Sequence, residues 1–168
     1  MEESMKKVGI VMGSDSDLPI LEKSIDILKS FGIPYEVHVY SAHRTPKEAI
    51  DFAAGAEENG FGVLIAAAGM AAHLAGVIAA NTTLPVIGIP CKSQCFDGMD
   101  ALLSTVQMPS GIPVATVAVN GGANAALLAA EILAVSDPSV SEKLKAKRAA
   151  DTKTVLEKNA AVSQKFAN

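Results

Sequence analysis

Short continuous apolar runs alternate along the chain with longer stretches in which apolar residues recur every three or four positions. Five of the short runs read as strands: VGIVM at 8–12, YEVHVY at 35–40, VLIAAA at 63–68, PVIGI at 85–89 and PVATVAV at 113–119. Between them the period changes. Leu18, Leu21, Ile25 and Leu28 fall on one helical face, and Gly32 with Pro34 stops that helix. Ala49, Ile50, Phe52, Ala53 and Ala56 do the same over 46–59, where Asn59-Gly60 ends the pattern. HLAGVIAA (73–80) and NAALLAAEILAV (124–135) are apolar nearly all round, which predicts buried helices. Strands alternating with helices predict parallel βαβ units. Five of them predict an α/β fold, a doubly wound parallel sheet in the flavodoxin-like order 2-1-3-4-5. We assign residues 1–135 to this α/β domain and 136–168 to a C-terminal helical extension of it. No repeat, low-complexity tract or linker precedes residue 136.

The strand order directs attention to particular loops. Open α/β sheets bind ligands at the carboxyl ends of their strands, near the reversal of strand order. In the order 2-1-3 the loops after strands 1, 2 and 3 lie side by side, and they read GSDSD (13–17), SAHRTP (41–46) and AGMAAH (68–73). Part of SAHRTP serves the fold. Thr45-Pro46-Lys47-Glu48 reads as a capping box, with Thr as N-cap, Pro at the first helical position and Glu at the third. Ser41, His43 and Arg44 are left over.

Arg44 is the only arginine in the first 147 residues. At a helix N-terminus its charge opposes the dipole, a conflict that a bound anion resolves. His43, at the same edge, reads either as a loop histidine bonded to a carbonyl or as a general acid/base. In GSDSD, Gly13 gives a tight strand exit and Ser16 or Asp17 can cap the helix that Pro19 opens. Ser14 and Ser16 suit phosphate oxygens, and Asp17 suits ribose hydroxyls. The third loop has almost no side chains, so its backbone can approach a ligand closely. His73, near the first turn of the next helix, reads equally as a core histidine and as a site residue. His38 alternates with Glu36 and Tyr40 on one strand face and reads as structural.

Composition narrows the class. Apolar residues make up 49% of 168 residues, but aromatics only 4%, with no Trp, so the core is built from Ala, Val, Ile and Leu. Such small side chains suit tightly stacked layers and subunit contacts better than a deep aromatic pocket. No apolar run reaches the roughly 18 residues needed to cross a bilayer. The opening MEESMKK and the short apolar run after it do not form a signal peptide. Two cysteines, Cys91 and Cys95, cannot make a disulfide framework, and their spacing without companion ligands does not predict a metal site. A soluble cytoplasmic protein is expected. Residues 1–135 hold 7 Lys/Arg against 14 Asp/Glu, and residues 136–168 hold 7 against 4. An acidic body offers no basic stripe to nucleic acid, and the mixed charges of the tail predict a solvated helix. GxGxxG, GxxxxGK[ST] and GxSxG are all missing, and strand 3 ends in Ala66-Ala67-Ala68 without a phosphorelay aspartate. A small phosphate-bearing ligand acted on by one histidine remains.

VMGSDSD (11–17), SAHRTP (41–46), EENG (57–60), GMAAHLAG (69–76), SGIPVATVAV (110–119) and NAALLAA (124–130) together resemble the N5-carboxyaminoimidazole ribonucleotide mutase family of purine biosynthesis. The resemblance covers about residues 8–135. It implies a three-layer flavodoxin-like fold, a ribonucleotide substrate, no metal or organic cofactor, and assembly as a homo-octamer. It also implies that His43 is the catalytic acid/base and that Ser14, Asp17 and Arg44 bind the ribonucleotide. Ser16 and Ser41 would assist at the phosphate, and His73 with the backbone of 69–72 would line the carboxylate end. AHRTP together with the AAHL loop resembles the bacterial mutase class, not the carboxylase that takes carbon dioxide directly. Met70 and Ala75 stand where the family's pattern favours Gly and Pro. Two other readings remain open: direct carboxylation of aminoimidazole ribonucleotide, and a non-catalytic phosphate-ligand or flavin module, the latter disfavoured by the scarcity of aromatics.

Overall fold

The computed structural model describes residues 5–167, so the first four residues of the MEESMKK segment lie outside it. Along the chain run β1 (Lys7–Met12), α1 (Leu18–Phe31), β2 (Tyr35–Val39), α2 (Pro46–Gly55), β3 (Phe61–Gly69) and α3 (Leu74–Ala79). There follow β4 (Val86–Cys91), α4 (Met99–Val106), β5 (Ala115–Thr116), α5 (Gly122–Ala134) and α6 (Pro138–Lys165). The strands form one parallel sheet in the order β2-β1-β3-β4-β5, as the alternation of runs predicts. Met12 pairs with both Val39 and Ala67, and Gly69 with Cys91, so four strands end nearly level. That shared carboxyl edge brings their loops together.

Helices cover both faces. Val8, Ile10 and Met12 of β1, Ile65 of β3 and Ile87 and Ile89 of β4 pack with α1 and α5. Val11, Leu64 and Ala66 pack with the alanine-rich faces of α2 and α3. Gly88 lies beneath Thr105 of α4 and Ala75 of α3, which puts α4 on this second face. The Ala-rich composition shows where α1 meets α5. A Cβ on Gly122 would fall 2.1 Å from the Ile20 carbonyl oxygen, and Ser24 Oγ donates to the Gly122 carbonyl at 2.7 Å. His38 is stacked on Tyr40 at 5.1 Å and tilted against Phe52 at 4.9 Å, in keeping with a structural role.

Three expectations are revised, and one helix is new. The run 113–119 yields only a two-residue strand. Gly88 and Pro90 point their carbonyls at that chain, accepting from Val117 and Asn120, but Pro90 has no N–H to return, so the ladder stops. The second helix ends at Gly55 and not at 59, because Asn59 turns its side-chain amide back onto the Gly55 carbonyl. Helix α5 buries one face, through Gly122, Ala125, Ala126, Ala129, Ala130 and Leu133, while Leu127, Leu128 and Ile132 are only partly covered. Helix α4 has no counterpart in the sequence reading. Its apolar residues Met99, Leu103 and Val106 face outward and only Ala101 and Thr105 are buried, so no inward stripe announces it.

The tail is one helix of 28 residues. Asp137 caps it, accepting from the amides of Ser139 and Val140. Val140 is buried against the core and Lys143 Nζ donates to the Phe31 carbonyl at the end of α1, but residues 149–167 are exposed throughout. Among the described residues no helix is long and apolar enough to cross a membrane.

Candidate active site

The loop after β1 is held by its own hydroxyls. Ser16 Oγ donates to Ser14 Oγ at 3.0 Å, and Ser14 Oγ accepts from the Ser16 amide at 3.4 Å, closing a 3-10 turn over Asp15–Asp17. The expectation that Ser16 or Asp17 caps α1 is corrected. Asp17 occupies the cap position in helical conformation and makes no capping bond; Ser14 caps the 3-10 turn instead. The Asp17 carboxyl is half-buried beside the Cys91 thiol. Burial pushes its pKa up, against the opposing hydrogen bonds of Cys91 and the Ser14 backbone. Burial, and then the Asp17 charge, push the Cys91 thiol up to about 12. Cys91 therefore stays a protonated thiol, donating to the Ile89 carbonyl at 3.7 Å, and is not a nucleophile. Cys95 is exposed, and the described residues contain no cluster of three or more potential metal ligands.

In SAHRTP, Pro46 opens α2 as expected, but the capping box does not form. Thr45 makes no side-chain bond to a helical amide. Its Oγ1 accepts from the Ser41 amide at 2.8 Å, and its own amide donates to the Ser41 carbonyl at 2.9 Å. Ser41 Oγ in turn accepts from the amides of His43 and Arg44, at 3.3 and 3.2 Å. The loop is thus a closed turn with four main-chain amides satisfied internally, and it presents His43 and Arg44 outward. Arg44 Nη2 donates to the Gly13 carbonyl at 2.9 Å, tying this loop to the one after β1 and leaving the rest of the guanidinium fork facing the cleft.

The loop after β3 makes two tight turns in succession, Ala72 N to Met70 O and His73 N to Ala71 O, each 2.9 Å. Met70 has φ +55, a left-handed conformation in which a side chain is strained and glycine is at ease. His73 then stands at the N-cap position of α3. Its Nδ1 lies 2.8 Å from His43 Nε2, with the rings edge-on at 83°. With both rings neutral, one donates across that contact and the other accepts, the direction following from the tautomers. Each ring keeps one outward nitrogen, Nδ1 of His43 and Nε2 of His73.

All seven residues singled out from the sequence, Ser14, Ser16, Asp17, Ser41, His43, Arg44 and His73, line one cleft of about 1070 Å³. The volume suits a ligand of nucleotide size. The sequence reading missed one wall, formed by Lys92, Ser93, Gln94 and Asp97 in the loop after β4. The rule that selected the first three loops would have found it if carried one strand further, since β4 ends level with β3.

Fold and site define a class: a doubly wound α/β protein whose carboxyl-edge cleft places an arginine beside two histidines in contact with each other. The chain belongs to the AIR carboxylase family, whose model matches residues 7–154. It is 57% identical over 145 residues, 86% of this chain and 82% of the relative, to an N5-carboxyaminoimidazole ribonucleotide mutase of Pyrococcus horikoshii. It is 51% identical over 154 residues, 92% of this chain and 90% of the relative, to the mutase of Thermotoga maritima. The crystal structure of a Treponema denticola PurE2 variant superposes with a TM-score of 0.84 at 30% identity, covering 98% of this chain and all of the other.

Proposed function

We infer that this protein is an isomerase of de novo purine biosynthesis, converting N5-carboxyaminoimidazole ribonucleotide to 4-carboxy-5-aminoimidazole ribonucleotide. The observation that carries this reading is the 2.8 Å contact between His43 and His73, within one cleft with Arg44 and the serine loops, in a chain of this family. Arg44, Ser14, Ser16 and Ser41 bind the phosphate and Asp17 the ribose. His43 is the acid/base, and His73 with residues 69–72 lines the carboxylate end.

The proton count fits a single histidine. As the N–C bond breaks and carbon dioxide departs, the exocyclic nitrogen gains one proton. As the ring carbon C4 bonds the recaptured carbon dioxide, it must lose one proton to restore aromaticity. His43 gives the first and removes the second, ending as it began. Ala68, Gly69 and Ala71 line the cleft and keep the carbon dioxide beside the ring.

The protein acts in the cytoplasm as a homo-oligomer, an octamer by family resemblance. Supporting association, Phe96, Met99, Leu103 and Val106 form an exposed apolar stripe on and before α4, and Val155, Leu156 and Val162 are exposed on α6. Turnover identifies the reaction. The purified protein is expected to convert the N5-carboxy substrate and to ignore aminoimidazole ribonucleotide supplied with bicarbonate. Faster turnover of the second mixture would make it a carboxylase, and ligand binding without turnover of either would make it a binding module.

A further inference from the structure

Resting on the ribonucleotide reading above, we propose that Lys92 is the second cation of the site, binding the carboxylate end of the substrate, and that Asp97 holds its ammonium group until substrate arrives. The substrate has two anionic ends, the phosphate and the carboxylate. The cleft has two permanently cationic side chains among its lining residues, Arg44 and Lys92. They stand at opposite ends. Arg44 follows β2, whereas Lys92 directly follows Cys91, the β4 residue paired with Gly69. In the order β2-β1-β3-β4 the Arg44 guanidinium, bonded to the Gly13 carbonyl just after β1, lies two strand spacings, about 10 Å, from the end of β4. One cation cannot serve both anions, and the His43–His73 contact bridges the gap between them.

The backbone of Lys92 is pinned while its head is not. Its amide donates to Asn120 Oδ1 at 2.8 Å, and the Asn120 amide donates to the Pro90 carbonyl at 2.9 Å. A Cβ on Gly98 would lie 3.2 Å from the Lys92 Cα, so the returning loop also packs closely against it. Among the described residues the ammonium pairs with the Asp97 carboxylate alone, at 3.0 Å, and the two side chains are 57% and 83% exposed. An exposed pair of this kind holds weakly in water and yields readily to a better-placed anion.

Backbone strain gathers at the same end. The non-glycine residues with positive φ among the described residues are Met70, Asp97 and Asn120. Met70 and Asp97 line the cleft, and Asn120 holds the Lys92 amide. Asp97 (φ +54) and Gly98 (φ +92) are consecutive left-handed residues whose turn returns the Asp97 carboxylate to Lys92. Strained residues persist where the surrounding structure needs them, and they cluster at ligand clamps.

Three ligands separate the proposal from its alternatives: the N5-carboxy substrate, the 4-carboxy product, and aminoimidazole ribonucleotide, which has the phosphate but no carboxylate. Lys92→Met is expected to raise KM for the substrate and Kd for the product at least tenfold, and to leave Kd for aminoimidazole ribonucleotide within twofold. Lys92→Arg should recover most of the loss, and Asp97→Asn should tighten the carboxylated ligands severalfold at low salt. Equal weakening of all three ligands, or no weakening of any, would overturn the proposal. Unchanged thermal unfolding of Lys92→Met shows that its exposed side chain was not needed for folding. If the wild-type protein bound none of the three, the ribonucleotide reading itself would fall, a result distinct from failure of the Lys92 assignment.

Discussion

Gly122→Ala sets two effects of opposite sign against each other at the contact between α1 and α5. Gly122 is the first residue of α5, where helix propensity alone favours alanine by up to about 1 kcal/mol. The structure predicts the reverse. The added Cβ would sit 2.1 Å from the Ile20 carbonyl oxygen and 3.1 Å from Ser24 Oγ, and backbone cannot swing aside as a flexible side chain can. Restoring ordinary contact requires the helices to part by about 1 Å, which forfeits up to about half of each affected dispersion contact. Overpacking of this kind costs about 1–3 kcal/mol. Loss of the buried 2.7 Å bond from Ser24 Oγ to the Gly122 carbonyl adds about 1 kcal/mol. Less the propensity gain, the net destabilisation of about 1–4 kcal/mol corresponds to a fall in Tm of roughly 2–15 °C for a chain of this length. Thermal and urea unfolding measure it, at one fixed protein concentration because association shifts apparent stability. Ser24→Ala, which removes only the hydrogen bond, should cost less. Gly13→Ala, whose Cβ meets nothing closer than 3.8 Å, should leave stability unchanged. A Gly122→Ala protein as stable as wild type, or more so, would refute the close-approach reading.

Other outcomes follow from the site. Thr45→Val removes the acceptor of the Ser41 amide while keeping the shape of the side chain; it should cost about 1–2 kcal/mol in urea unfolding and raise KM more than it lowers kcat. Equal stability would return Thr45 to a purely positional cap. Burial raises the Asp17 pKa in the folded state, so the stability this group contributes is present below its ordinary value of 3.8 and is lost as pH rises through the raised value. Asp17→Asn should therefore raise Tm at pH 7 relative to wild type, raise it less at pH 4, and weaken ribonucleotide binding. A pH-independent change in Tm would contradict the burial argument.

The strand order and the location of the cleft are legible in the sequence because both follow from local periodicity and a topological rule. What escaped depends on contacts between distant residues. Thr45 carries a capping-box signature, yet its hydroxyl goes to Ser41, whose amide is left unpartnered where β2 ends. The contact between His43 and His73 exists because β2 and β3 flank β1 and end level, which no spacing in the sequence encodes. Helix α4 hid because its apolar residues face outward, where an isolated chain shows no core. Lys92 hid because it sits one strand beyond the reversal in strand order. Met70 departs from the glycine expected there, and its positive φ shows that the position does require a left-handed backbone.

The central claim is that His43 moves the proton in a site whose other residues only bind. Single-turnover conversion of the N5-carboxy substrate by His43→Asn, with nucleotide binding measured on the same protein, tests it most directly. The account predicts binding within a few-fold of wild type and a loss of about 10²–10⁴ in the rate of the chemical step. Near-normal conversion with substrate bound would contradict it.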